Sequence, residues 1–411
     1  MTEPTLILKP TREKSILRRH PWIFSGAVAR VEAAPDSGDT VTVRSAAGDF
    51  LARAAYSPKS QIVGRIWSWA EDEKIAADFF ARRIAQSINA RAALSESTNA
   101  LRLVNAESDG LPGLIVDRYA DFIVGQFLTA GTERWKNEIA EVLMSQPGVV
   151  GVYERSDVEV RGKEGLKSSE GLLRGDAPPE SIEVWERSPK SPDFGKSGGF
   201  GSTTDKWLFS VDIVHGHKTG FYLDQRENRQ VVAEYARGQK VLNVFAYTGA
   251  FTVAAQWSGA QSVISLDSSG PSLALAQHNL ELNHLPIAGL TEADAFKMLR
   301  EYRDRGETFD LIILDPPKFA HTEAQINKAT RAYKDINWLA YRLLNPGGQL
   351  ITFSCSGLIS EDLFQKILFG AALDAKRDAQ IIRRLGQASD HPVLLSFPEA
   401  GYLKGFVCRV A

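Results

Sequence analysis

Val241-Leu242-Asn243-Val244-Phe245-Ala246-Tyr247-Thr248-Gly249-Ala250-Phe251 is an apolar run that enters a glycine turn and continues as an amphipathic segment. The next apolar run, Ser262-Val263-Ile264-Ser265-Leu266, ends at the acidic Asp267. Together they form the first half of a nucleotide-binding βαβ unit. Farther on, Phe309-Asp310-Leu311-Ile312-Ile313-Leu314 ends in Asp315-Pro316-Pro317-Lys318. Prolines cannot continue a sheet ladder, so the backbone is forced out over the strand's carboxyl end, where ligands bind in open α/β sheets. Around these runs, strands at 241–245, 262–267, 289–292, 309–314 and 349–353 alternate with helices reaching 257, 284 and 303. That alternation predicts a parallel sheet with helices on both faces.

Outward from this region the chain separates by pattern. Up to residue 71, short β-rich runs such as Thr40-Val41-Thr42-Val43 and Gln61-Ile62-Val63-Gly64-Arg65-Ile66-Trp67 are punctuated by turn residues, predicting a small β-barrel over 1–71. Over 72–187 a helix (75–94) precedes strands at 101–105, 114–119, 122–127 and 151–155, with a second helix over 132–145, an α+β module. Residues 188–206 are rich in Gly, Ser, Pro and Lys without apolar periodicity and read as a flexible polar linker. The expected fold class is α/β: a Rossmann-like domain over 207–411, preceded by the barrel and the central module.

A chain of 411 residues exceeds what one core usually supports, in keeping with several domains. Net charge of −2 gives no whole-protein nucleic-acid signal, so any RNA contact must come from local basic patches. Two cysteines, Cys355 and Cys408, exclude a disulfide framework, and their spacing supplies no metal ligand set. The sequence has no apolar run of leader or membrane-spanning length, and a cytoplasmic location is expected.

A cofactor without a pyrophosphate still needs close backbone approach at the first strand-to-helix turn. Gly249 can take positive φ and has no Cβ to block it, and Asn243, Phe245, Tyr247 and Thr248 belong to the same turn. Asp267, about eighteen residues farther on, can accept from both ribose hydroxyls. On the third strand's exit, Asp294 can accept from an adenine amine, beside Ala295 and Phe296. A lone glycine turn is often only a turn, and an acid at a strand end is often a helix cap; their order on successive strands favours the cofactor reading. Neither G-x-G-x-x-G nor a Walker lysine occurs, which argues against NAD and ATP. Upstream, on what reads as the helix leading into the sheet, Lys218-Thr219-Gly220-Phe221-Tyr222-Leu223-Asp224-Gln225-Arg226 mixes aromatic and charged residues. Phe221 could cover the adenine, and Asp224, Gln225 or Arg226 could face the amine and carboxylate of a methionine moiety; a solvated helix start is the alternative. The expected cofactor is S-adenosyl-L-methionine.

The strand 349–353 runs into Ser354-Cys355-Ser356-Gly357, small and polar neighbours that would expose a thiol. Cys408, inside Gly405-Phe406-Val407-Cys408, fits the buried inert default. Amines and hydroxyls can be methylated by direct attack, but carbon 5 of a pyrimidine needs a thiolate to add first at carbon 6. Cys355 is the candidate nucleophile and Asp315 the candidate hydrogen-bonding acid. Lys318 could stabilise a thiolate or bind a phosphate, or simply be solvated.

At this point the chain resembles the RlmI-type class I methyltransferases, which make 5-methylcytosine in large-subunit ribosomal RNA. The resemblance rests on Arg19-His20-Pro21-Trp22-Ile23-Phe24-Ser25-Gly26, the run from Glu107 to Asp117, Lys218 to Arg226, Asn243 to Phe251, Asp315-Pro316-Pro317-Lys318-Phe319 and Ser354-Cys355-Ser356. It implies an N-terminal PUA barrel, a central α+β module, a Rossmann-like catalytic domain and a catalytic cysteine at Cys355. In the other major cytosine-5 class the nucleophile directly follows the Asp-Pro pair, where Pro317 and Lys318 stand here. The polar insertion at 189–206 is a departure that could alter the RNA footprint.

Lys14, Arg18 and Arg19, with Lys9, Arg12 and His20, form a basic cluster beside Trp22 and Phe24, suited to phosphate contact. Trp22 itself is expected in the barrel core. The expected partner is large-subunit ribosomal RNA, unassembled because the target base must leave its stack, with no membrane and with a homodimer as an option. Rival readings keep the fold but methylate uracil carbon 5 or a base amine, or make the chain a non-catalytic RNA-binding assembly factor.

Overall fold

The computed structural model describes residues 3–189, 205–287 and 289–411; of the linker expected over 188–206, residues 190–204 lie outside them. Two compact units emerge. The first comprises Met1–Val184, Val211–Leu223 and Asp390–Ala400; the second comprises Trp185–Ser210, Asp224–Ser389 and Gly401–Ala411.

The first unit contains two sheets. A six-stranded sheet runs in the order Trp22–Phe24, Ile62–Ser68, Phe50–Tyr56, Thr40–Arg44, Thr5–Leu8, Val28–Glu32. Its core is Leu6, Leu8, Ile16, Ile23, Val41, Val43 and Ile66. Trp22 does not join that core, contrary to expectation. Successive strand residues face opposite sides, and in Trp22–Phe24 only Ile23 points inward. The Trp22 ring instead meets Phe397 edge-on at 4.7 Å, and its Nε1 donates to Glu107 Oε1 at 2.8 Å.

The second sheet of this unit has the order Ser169–Gly175, Gly151–Ser156, Phe122–Phe127, Leu114–Tyr119, Ala100–Asn105. Helices Ala77–Ala90 and Lys136–Met144 bury Phe79, Phe80, Ile84, Ile139 and Leu143 in the same cluster as strand residues Leu103, Val116, Ile123 and Val152. The helix expected over 132–145 is broken at Trp135 into Ala130–Arg134 and Lys136–Met144. Asp117 shows why the Glu107-to-Asp117 motif is so charged. Its buried carboxylate meets Arg102 at 2.8 and 2.9 Å and accepts from Thr219 Oγ1 at 2.6 Å. Burial works to raise its pKa, but Arg102 and these hydrogen bonds win and hold it below the usual carboxylate range.

The second unit is built on seven strands: β1 (Lys240–Val244), β2 (Ser262–Asp267), β3 (Leu290–Glu292), β4 (Phe309–Leu314), β5 (Leu344–Ser354), β6 (Ala379–Gly386) and β7 (Lys404–Val410). Their order is β3-β2-β1-β4-β5-β7-β6. The β1–β2, β1–β4, β2–β3 and β4–β5 pairs are parallel; β7 alone runs antiparallel, inserted between β5 and β6. Helices α1 (Arg226–Ala236), α2 (Ala250–Trp257), α3 (Gly270–Leu282), α4 (Ala295–Asp304), α5 (Ile326–Leu343) and α6 (Glu361–Ala375) complete the unit.

Strand alternation sorts the layers. Leu242, Val244, Leu266, Ile312, Leu314, Leu350 and Phe406 share one core with Leu299 of α4, Tyr333 and Ile336 of α5, and Phe364 and Leu368 of α6. The residues between them face the other way: Asn243 Nδ2 donates to Thr252 Oγ1 on α2, which also meets Ser265 Oγ. Because β1 and β4 are covered on both faces, they read as nearly continuous apolar runs.

Helix α1 is tied down by an ion pair between Arg229 and Glu186, each side chain only 1% exposed. Removing one partner strands a buried charge, which typically costs about 3–5 kcal/mol. Glu186→Ala is therefore expected to lower unfolding stability by about that amount, read by urea denaturation. A change within about 0.5 kcal/mol would show that Arg229 relaxes into solvent.

Candidate active site

The turn after β1 is wound more tightly than one glycine requires. Phe245, Tyr247 and Gly249 all have positive φ, at 63°, 48° and 76°. For the two L-residues this conformation costs about 1–2 kcal/mol each. Asp267, at the end of β2, supplies a compensating contact: its Oδ2 accepts from the Tyr247 backbone N–H at 2.8 Å, and its Oδ1 from Ser269 N–H at 2.9 Å. A carboxylate oxygen accepts more than one hydrogen bond, so capacity remains for ligand hydroxyls. Gly249 is also constrained by space, since a Cβ there would lie 2.8 Å from Ala276 Cβ on α3. Thr248 is buried, its carbonyl accepting from Asn279 Nδ2 at 2.9 Å, while its Oγ1 has no partner among the described residues.

Residues 217–225 are not helical as expected; a short 3-10 turn ends at Gln225 and α1 begins at Arg226. The turn points two side chains at the sheet edge. Asp224 Oδ2 accepts from Tyr402 Oη at 2.7 Å, and its buried Oδ1 has no partner among the described residues. Gln225 Nε2 donates to Asp315 Oδ2 at 2.9 Å, while Asn228 Nδ2 fixes the amide by donating to Gln225 Oε1 at 2.6 Å. Asp315 directly follows β4, in a recess that leaves its residue partly exposed. Burial, then the neighbouring Asp224 charge, pushes its carboxyl up to about 7, against the opposing effects of Gln225 and Arg229. A carboxyl so poised is substantially protonated near neutrality and can donate a hydrogen bond.

Cys355 follows β5 at the same edge and is partly exposed, whereas Cys408 lies buried in β7 with its thiol pushed up to about 11 by burial. Ser354 Oγ donates to Tyr333 Oη at 3.1 Å beneath it. Lys404, paired across the ladder with Ser354, reaches under the loop and donates from Nζ to Ser356 O at 2.6 Å and Ile359 O at 2.7 Å.

Asn243 is fully buried and spends its amide on Thr252, leaving Oδ1 without a partner among the described residues. Asp294 caps α4, accepting from Lys297 N–H at 2.8 Å, and Ala295 is buried behind it. Arg226 is buried at the start of α1. Phe221 belongs to the first unit, where its N–H donates to Tyr119 Oη at 3.2 Å. Lys14, Arg18 and Arg19 are exposed there, Arg19 lying 5.3 Å over the Trp69 ring. Lys318 is exposed in the second unit. Sequence reasoning missed Tyr402, Lys404 and Tyr333; nothing local marks them, because each meets its partner only through the fold, Tyr402 at Asp224, Lys404 at the loop after Cys355 and Tyr333 of α5 at Ser354.

These residues fit S-adenosylmethionine: a buried carboxyl oxygen at Asp224 without a partner among the described residues suits the methionine ammonium, and the glycine cradle with Asp267 suits the ribose. Hydrogen bonds to charged groups contribute about 1.5–3 kcal/mol, so Asp224→Asn is expected to weaken S-adenosylmethionine binding roughly tenfold to hundredfold in calorimetry. Unchanged affinity would place the ammonium elsewhere.

Comparison with known proteins agrees with this geometry. Residues 6–69 match the PUA-like domain family, and residues 202–402 match the family of S-adenosylmethionine-dependent methyltransferases. The chain is 50% identical over 409 residues to ribosomal RNA large subunit methyltransferase I of Erwinia tasmaniensis, covering 98% of this chain and 99% of that protein. It is 49% identical to the protein of the same name from Shewanella denitrificans, covering 98% of each. Among solved structures, SMU.776 complexed with SAH is 25% identical with a TM-score of 0.82 over 98% of this chain and 99% of that one. With S-adenosylmethionine as its cofactor and a PUA-like domain ahead of its Rossmann-like sheet, the chain belongs to the ribosomal RNA large subunit methyltransferase I family.

Proposed function

We propose that this protein methylates carbon 5 of a cytosine in large-subunit ribosomal RNA, with Cys355 as a transient covalent nucleophile. The observation that carries this reading is a partly exposed cysteine on the same sheet edge as a carboxyl whose pKa burial has pushed up to about 7. The names of the similar proteins support the RNA substrate, and the exposed Lys14, Arg18 and Arg19 supply positive charge for phosphates.

S-adenosylmethionine, when bound, supplies an electrophilic methyl group. The protein's own part is to make carbon 5 nucleophilic. The Cys355 thiolate adds to carbon 6, forming a C–S bond, and the broken carbon 5–carbon 6 π pair is delocalised over carbon 5 and, through carbon 4, ring nitrogen 3. Asp315, protonated, donates a hydrogen bond to ring nitrogen 3 as negative charge builds there. After carbon 5 has taken the methyl group, a base removes its proton; the electron pair reforms the double bond and expels the thiolate. A base amine would need none of this, so Cys355 would have no chemical part in such a reaction. Because the cytosine must leave its stack to react, at a cost of roughly a few kcal/mol, naked RNA is the better substrate.

The test is methylation of unmodified large-subunit RNA, read by nucleoside mass spectrometry. The expected product is 5-methylcytidine, absent with Cys355→Ala and formed more slowly on assembled subunits. Methylated uridine, a methylated base amine, or an active Cys355→Ala enzyme would overturn the reading. Asp315 adds a pH signature: its protonated fraction falls as pH rises past about 7, so activity should decline on that side. Asp315→Asn, which donates without titrating, should lose the decline, and Asp315→Ala should lose roughly 100- to 1,000-fold in rate.

A further inference from the structure

Lys404 is a buried cation with an unusual assignment. It is 7% exposed, and no carboxylate lies within ion-pair distance among the described residues. Two of its three ammonium protons go to the carbonyls of Ser356 and Ile359, on the loop that begins at Cys355. The Ser356 carbonyl also accepts from Ile359 N–H at 3.1 Å, so the loop curls around the ammonium as a tight turn. Its far end is pinned: Ile359 is fully buried, and Ser360 Oγ caps α6 by accepting from Leu363 N–H. At its near end Ser354, the residue before the cysteine, is the ladder partner of Lys404.

A buried ammonium without a counter-ion is costly, and buried charges are as a rule paired or hydrogen-bonded. The largest anionic influence on Lys404 is the Cys355 sulfur, ahead of Glu361 in the first turn of α6. Tyr333 of α5 is influenced by both Cys355 and Asp315, and Glu361 is itself ion-paired with Arg384. Burial lowers the Lys404 ammonium to about 8, which the thiolate and Glu361 oppose.

We propose that Lys404 is the positioning cation of Cys355: its ammonium holds the 355–359 loop in shape and stabilises the thiolate form of the cysteine. This rests on the reading of Cys355 as nucleophile. In the resting state the thiol proton goes to solvent, and the resulting negative sulfur is balanced by Lys404 across the loop. After the thiolate has added to carbon 6 the sulfur is neutral, and when it leaves again the same cation receives it.

The test needs neither RNA nor methyl transfer. Iodoacetamide alkylation of Cys355 is followed against pH by mass spectrometry in the full chain, with buried Cys408 as internal control. An opposing charge within about 4–6 Å shifts a titrating group by about 1–3 pH units, so Lys404→Met should raise the alkylation midpoint by at least about one unit. The rate near neutral pH should fall on the order of tenfold, with Lys404→Arg restoring much of the midpoint. A purely structural lysine would lower the melting temperature and leave the midpoint in place; an unchanged midpoint in folded Lys404→Met overturns the proposal. If Lys404→Met does not fold, the reciprocal measurement decides, by carbon-13 titration of the Lys404 side chain in the native protein and in Cys355→Ala. The Lys404 midpoint should fall when the thiolate is removed, and an unmoved midpoint overturns the proposal. Failure of the nucleophile reading would appear separately, as methylation by Cys355→Ala.

Discussion

The hydrogen bond from the Tyr247 backbone to Asp267 is the contact on which the cofactor end of the site depends. It ties the exit of β1 to the exit of β2, and it supports a turn in which two bulky L-residues adopt left-handed backbone. Such strain persists where the surroundings over-determine it. Here the surroundings are Asp267 on one side and the contact of Gly249 with α3 on the other. A carboxylate fixed in this way faces a ligand already oriented, so little ordering remains for the moment of binding.

The chemical end depends on a reversal of strand direction. Parallel strands β1, β4 and β5 all deliver their carboxyl ends to one edge, bringing Gly249, Asp315 and Cys355 there. β7 runs the other way, so its amino end arrives at that same edge. That is how Tyr402 reaches Asp224 and Lys404 reaches the Cys355 loop. The edge thus gathers two carboxylates, a thiol and an ammonium into a partly buried space. Burial and the Asp224 charge shift Asp315 up, burial shifts Lys404 down against the pull of its neighbours, and each titrates nearer neutrality than it would in water.

In the first unit, motif residues with no part in chemistry explain themselves structurally. Asp117 is locked to Arg102 and Thr219, and Glu107 receives the Trp22 indole. Trp22 was expected in the barrel core. The strand's two-residue period gave that place to Ile23 instead, and Trp22 found an aromatic and a carboxylate outside it.

Local pattern alone determined the alternation of strands and helices, the positions of Gly249, Asp267, Asp315 and Cys355 at strand ends, and the contrast between the two cysteines. These are legible because apolar period, turn residues and strand termini are properties of neighbours in the chain. Asp294 was legible only in part: the helix cap that any strand-end acid can become is what formed. Tertiary structure decided the rest. Nothing near Asp315 in the chain announces a carboxyl pushed up to about 7, because burial and the Asp224 charge come from another segment. Nothing near Tyr402 or Lys404 marks either as part of a site, since their partners lie on elements joined only by the sheet. A pKa and an ion's counter-charge depend on distance through space, and a sequence records distance only along the chain.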